Sequence, residues 1–158
     1  MSKRKSPSRP EDLAQLERAY TFFNEVGIIS QLASNQMQRA MPHELTLSQF
    51  SVLNWFARVD DVATPGRLSS AFQVTKGAMT NTLHKLADKG LIKVVPDPDS
   101  GRRKIVRMTR KGHRARADAI ASTHPQLEEF LSEFAGSKFE AGLEFLQRVR
   151  CCLDAERE

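Results

Sequence analysis

Apolar positions along this chain recur mostly at helical spacing and only briefly at strand spacing. Leu13, Leu16, Tyr20, Phe23, Gly27, Leu32 and Met37 follow one another largely three or four residues apart and form one long stripe. The stripe predicts a helix from Pro10 to just before Pro42. Pro10 suits a first turn, where its missing N–H costs nothing. Glu11 and Asp12 place negative charge at the positive end of the helix dipole. This stripe is longer than one small core needs, a first sign of a partner chain.

A second helix opens at Thr46 or Ser48 and carries Leu47, Phe50, Leu53 and Phe56 on one face, until the polar stretch Arg58–Ala63 breaks it. Thr64-Pro65 reads as an N-cap with proline at the first helical position, followed by a short helix holding Leu68, Ala71 and Phe72. After a brief turn at Gln73-Val74, Thr75 caps a further helix. Its inner face carries Ala78, Met79, Thr82, Leu83, Leu86 and Ala87. Gly90 supplies the left-handed residue that ends it, and Leu91 the apolar contact that goes with such an ending. Two helices joined by so short a turn predict a helix-turn-helix.

Beyond Gly90 the period shortens. Leu91–Val95 and Lys104–Met108 are β-prone runs, and Pro96–Arg103 between them is dense in turn formers, so the segment predicts a hairpin with a long charged tip. Thr109 caps another helix through Ala115, Ala119 and Ile120, and Pro125 marks a kink or a break. Leu127, Phe130, Leu131 and Phe134 continue the apolar face. Gly136-Ser137 reads as the last turn, before a final amphipathic helix with Phe139, Leu143, Leu146, Val149 and Leu153. The fold class expected is mostly α with a small β-hairpin wing. A flexible basic arm over 1–10 precedes an N-terminal dimerisation helix over 11–42, a winged helix-turn-helix module over 43–112 and C-terminal dimerisation helices over 113–158. The alternative is that the flanking helices cover the winged core of their own chain.

Charge sharpens this picture. The net charge is +5, but residues 43–113 hold 12 Lys and Arg against 6 Asp and Glu, and the first ten residues add four more basic side chains. A basic middle inside a mildly acidic frame is suited to a polyanion, whose counterions it would release. No run nears the ~20 apolar residues of a membrane span, the basic leader lacks the apolar segment of a secretory signal, and two adjacent cysteines make no disulfide framework. The expected setting is cytoplasmic, without a membrane.

With its apolar residues turned inward, the helix after Thr75 leaves Lys76, Gly77, Thr80, Asn81, His84 and Lys85 outside. Lysine and threonine suit phosphates, threonine can touch a thymine methyl, and asparagine can pair bidentately with adenine. Gly77 removes a side chain where a helix approaches a duplex. Arg102 and Arg103 beside Gly101 are placed to reach a narrow minor groove, with Asp97 or Asp99 expected to pair with an arginine and direct it. Double-stranded DNA is therefore the partner these residues suggest.

From Leu45 to Gly112 the chain resembles the MarR family of winged-helix regulators. The stretches carrying the resemblance are Leu45–Leu53, Thr75–Thr80, Leu86–Ile92, Asp97–Arg102 and Met108–Gly112. It implies a homodimeric bacterial repressor on a pseudo-palindromic operator, responsive to a small aromatic or acidic ligand or to an oxidant. It assigns DNA contact to Thr75, Lys76, Gly77, Thr80 and Asn81, and the minor-groove role to Arg102. Position 81 is often basic in the family, so Asn81 puts any borrowed operator sequence in doubt.

Other chemistry is sparse. There is no nucleophile motif, phosphate loop or catalytic carboxylate pair, so no enzyme is read here and no cofactor is implied. His43, Glu44 and His113 fall short of a four-ligand metal site. Tyr20, Phe23, Trp55 and Phe56 are candidate pocket walls between the lobes, or plain core. Two further readings stay open: a winged-helix dimer acting through protein contacts, and a redox switch at Cys151 and Cys152 beside Arg148 and Arg150.

Overall fold

The computed structural model describes residues 10–155; the arm expected ahead of Pro10 lies outside the described residues. Helix α1 (Pro10–Ala40) is followed by α2 (Leu47–Arg58), the two-residue strand β1 (Val62–Ala63), α3 (Pro65–Ala71) and α4 (Lys76–Asp88). Strands β2 (Ile92–Asp97) and β3 (Ser100–Met108) then form a hairpin, and α5 (Arg110–Ala121), α6 (His124–Glu133) and α7 (Gly136–Ala155) complete the chain. This is the mostly helical fold with a small wing that the sequence predicts.

Four helices start on threonine caps, each worth about 1 kcal/mol. Thr46, Thr64, Thr75 and Thr109 accept backbone N–H groups from Gln49, Arg67, Ala78 and Gly112 at 3.0–3.3 Å. At Thr46 the cap is reciprocal, since the Gln49 side chain also accepts from the Thr46 N–H, and this buries Gln49 without stranding it. Thr46, not Ser48, therefore opens α2.

Three details differ from the sequence expectation. Ala63 is no mere break: it pairs with Val106, and Val62 with Arg107, so the hairpin becomes an antiparallel three-stranded sheet in the order β1-β3-β2. A two-residue strand leaves no periodic signal. Pro125 marks a true break between α5 and α6, whereas Gly136 and Ser137 are already helical and the last turn falls at Phe134-Ala135. The short turn before Thr75 uses Gln73 at φ 52°, a left-handed position normally signalled by glycine or asparagine.

The core sits under the wing. Phe50, Val52, Leu53 and Phe56 of α2 meet Leu68, the inner residues of α4, Leu91 just before β2, Ile92 and Val106 of the sheet, and Ala115 and Ala119 of α5. The helices outside this module bury little. No residue of α6 or α7 is buried, and Leu16, Tyr20, Phe23, Ile29, Leu32, Leu127, Leu131, Leu143 and Phe145 are all more than half or about half exposed. The two ends of the chain do meet, through an edge-to-face contact of Phe22 with Phe145 at 5.3 Å. No described helix is long and apolar enough to cross a membrane.

One close approach ties the wing to α5. A Cβ on Gly112 would stand 2.2 Å from the Leu91 carbonyl oxygen and 2.7 Å from Met108 Cγ. Gly112→Ala should therefore cost roughly 1–3 kcal/mol by overpacking and lower Tm by several degrees. Gly101→Ala, where nothing lies within 4 Å, should leave the melting curve in place; equal Tm for both variants in calorimetry would refute the argument.

Candidate nucleic-acid interface

Helix α4 is fixed at both ends. Thr75 holds an extended conformation and caps the first turn. At the other end Gly90 adopts φ 70°, its N–H donates to the Ala87 carbonyl at 2.8 Å, and the Leu91 N–H donates to Leu86 at 2.9 Å. That pair of bonds is a Schellman ending, and Leu91 is buried against the core as the motif requires. Between the ends Met79, Leu83 and Leu86 are buried. Each burial is worth roughly 1.5–3 kcal/mol, against tenths for an exposed side-chain pair, so the inner row decides the helix's rotation.

That rotation exposes Thr75, Lys76, Gly77, Thr80, Asn81, His84 and Lys85 together, as the sequence predicts. Ala78 is a correction: it was expected inward and is exposed, because residues 75–78 form a first turn that projects past the core. The Thr80 hydroxyl donates to the Lys76 carbonyl at 2.8 Å. Its oxygen can still accept, and its methyl remains free to meet an apolar group. No Cβ at Gly77 would meet anything within 4 Å, so the fold itself makes no demand for glycine there.

The wing departs from expectation at its tip. The strands run further than the β-prone residues suggest, and the ladder pairs Pro96 with Lys104, then jumps to Asp97 with Ser100. Gly101, Arg102 and Arg103 are left without ladder partners, in keeping with the N–H that Pro96 lacks. Both arginines are exposed. Asp97 accepts the Asp99 N–H at 3.1 Å and so shapes the turn. The expected aspartate–arginine pairing is not made: among the described residues neither Arg102 nor Arg103 joins an ion pair.

Lys104 was not singled out from the sequence, although it continues the basic run Arg102-Arg103. It lines a groove of about 470 Å³ with Pro65, Thr80, His84, Asp88 and Val94, and so joins the wing to the exposed side of α4. On α3, the exposed Arg67 donates to the Asp60 carboxylate and lies 5.2 Å over the Trp55 ring. The Arg67 hydrogen bond, helped by the Val62 N–H, holds the Asp60 carboxyl below its usual range. The ion pair is therefore lost at a lower pH than that at which an unpaired aspartate would take up its proton.

The remaining candidates are dispersed. Trp55 and Phe56 touch edge to face at 5.4 Å, but Phe56 is core, while Tyr20 is 74% exposed and Phe23 packs on Phe22. Tyr20 shares a shallow depression with Leu16, Glu17 and Thr21, and Phe56 another with Asp61, Arg107, Met108 and His113. Among the described residues, Tyr20 and Phe56 thus fall in separate depressions, and neither of these holds Phe23 or Trp55. A different cleft, of about 470 Å³, is lined by His43, Glu44, Lys89, Leu91, Lys111, Arg114, Ala115 and Asp118. His43 Nε2 is 2.7 Å from Asp118 Oδ2, whereas His113 faces the Phe56 depression, so the three residues weighed for a metal are split apart. Cys151 and Cys152 are exposed on α7, with Arg150 Nη2 3.9 Å from Cys151 Sγ.

Residues 43–103 match the sequence pattern of the MarR family. Transcriptional regulator HosA of Escherichia coli O111:H- is 27% identical over 133 residues, spanning 84% of this chain and 95% of that protein. The fold is similar to that of the transcriptional regulator BldR from Sulfolobus solfataricus, at a TM-score of 0.73 and 22% identity, with 86% of this chain and 96% of that one covered. It is likewise similar to a mutant MarR from E. coli complexed with operator DNA, at a TM-score of 0.68 and 21% identity over 84% of this chain and 95% of that one. The module that buries the Leu53–Leu83 core and presents α4 beside the wing is the matched segment, and it is there that this chain is similar to the MarR family.

Proposed function

We propose that this protein is a transcription regulator that binds duplex DNA as a homodimer, acting as a ligand-responsive repressor at a pseudo-palindromic site. The observation that carries the reading is a single exposed surface holding Lys76, Thr80, Asn81, His84 and Lys85 of α4 beside Lys104 and the projecting arginines of the wing. One helix of this kind fits a major groove, while Arg102 and Arg103 reach for the adjoining minor groove. The MarR of E. coli whose fold is similar was crystallised with operator DNA, which supports the same use of the surface here.

The dimer reading rests on the apolar faces of α1, α6 and α7. Side chains such as Leu16, Leu32, Leu131 and Leu143 are too many and too continuous to be left to water. A second copy offers the same faces in return, and two-fold symmetry would set two α4 helices on successive turns of one duplex. The ligand reading moves from the aromatics to the cleft at His43, Lys89, Lys111 and Arg114, whose size suits a small molecule and whose three Lys and Arg side chains outnumber the carboxylates Glu44 and Asp118, favouring an acid.

Three measurements test these points. In binding titrations Asn81→Ala should weaken a selected site by roughly 1–3 kcal/mol and relax one base preference, while Lys85→Ala weakens all sequences alike and lowers the salt slope by about one. Equal losses on selected and random DNA for Asn81→Ala would remove its reading role. Gly77→Ala should stabilise the free protein by up to about 1 kcal/mol through helix propensity yet weaken DNA binding; unchanged affinity would show that nothing approaches α4 closely. In sedimentation, the wild type should run at about twice its 17.8 kDa and Leu143→Asp should shift it toward a single chain, because a charge would be buried unpaired. A wild type that sediments as one chain at micromolar concentration would exclude the dimer.

A further inference from the structure

The connection between α1 and α2 is strained and is held from both sides. Gln38 of α1 donates to the Leu45 carbonyl at 3.1 Å and accepts the Leu47 N–H at 2.9 Å, and Lys89 of the winged module holds the residues before them. His43 and Glu44 both adopt left-handed backbone, at φ 59° and φ 51°, a conformation unfavourable for consecutive L residues without glycine. Their carbonyl oxygens share one donor. Lys89 Nζ lies 3.2 Å from the His43 oxygen and 2.5 Å from the Glu44 oxygen. Lys89 is the C-cap residue of α4, so this side chain runs straight from the end of that helix to the junction with α1. Its own carbonyl accepts from Lys111 Nζ of α5 at 2.8 Å, and His43 reaches Asp118 of α5.

The junction matters because it is where α1 hands over to the winged module. Apart from this connection, α1 makes only slight contact with that module. The two lobes' relative tilt is therefore set where Met37 and Gln38 of α1 meet the module, at residues 41–47, or through α5. Lys89 touches both routes. An ammonium with three donors can satisfy two carbonyls at once and remain charge-compatible with the helix C-terminus it caps.

We infer that Lys89 is a positioning residue: it locks the end of α4 to the α1–α2 connection, and so fixes the separation of the two α4 helices in a dimer. This rests on the DNA-binding homodimer proposed above. The side chain contacts no DNA in this role. It governs how well both half-sites are engaged together, not how well one is.

Lys89→Met and Lys89→Arg proteins, checked for folding by circular dichroism and for size by sedimentation, test it in two arms. In the first, wild type is used to select a fragment with two half-sites, and each variant is titrated against that fragment, against versions with one base pair added or removed between the half-sites, and against an isolated half-site. Lys89→Met should lose roughly tenfold on the selected fragment through lowered effective concentration of the second contact, flatten the preference for spacing, and leave the isolated half-site within about twofold. Lys89→Arg should restore the preference. Equal losses on the isolated and paired half-sites, or an unchanged spacing preference, would overturn the proposal.

The second arm needs no DNA. Hydrogen exchange of the free protein should rise together over residues 43–47 and 86–91 in Lys89→Met, and stay at wild-type levels in Lys89→Arg. Unchanged exchange in Lys89→Met would overturn the lock directly. Raised exchange in a protein whose wild type selects no DNA would uphold the lock and remove the DNA-binding reading instead.

Discussion

Met79, Leu83 and Leu86 recur at spacings of four and three along α4, so burying all three leaves that helix one rotation about its own axis. The rest of the molecule is arranged around that choice. Leu53 and Phe56 of α2, Leu68 of α3 and Val106 of the sheet close over the inner row. The Thr75 cap and the Gly90 ending fix where the helix begins and stops. Its outer row is then a set of polar side chains whose direction is decided by apolar ones, without any polar contact needed to aim them.

The module and its flanks hold together in different ways. The winged core has a closed inner face and threonine caps, and among its described residues no buried side-chain polar atom lacks a partner. Helices α6 and α7 bury nothing within the chain, and α1 touches the core mainly near Met37 and Met41. One part of the sequence therefore closes its apolar face within the chain, while the other leaves most of its apolar side chains exposed.

Helix-turn-helix, wing and caps were legible because each leaves a local chemical mark: threonine before an apolar row, proline after threonine, glycine before leucine. The outer face of α4 followed from the same periodicity. What escaped has no such mark. Strand β1 is two residues long and exists only because β3 lies beside it. Gln73 adopts a left-handed conformation against its residue type, and the turn is held by the Val74 N–H donating to Ser69. The helical period points Ala78 inward, but a methyl group in a projecting turn has little to bury. Lys104 belongs with α4 only once the hairpin is folded beside it, and Lys89 meets His43 and Glu44 across more than forty residues of chain. Those are matters of tertiary placement, which spacing along one segment does not encode.

The irregular register at the end of the hairpin separates two properties that a regular ribbon would couple. Val94 to Pro96 stay zipped to Val106 through Lys104, and the sheet closes there. Beyond that point Gly101, Arg102 and Arg103 loop out of the ladder. Their number is not dictated by pairing, so residues can be gained or lost at this place without dragging Ile105 or Val106 off their seats. The reach of the arm is thereby an adjustable length mounted on an invariant base.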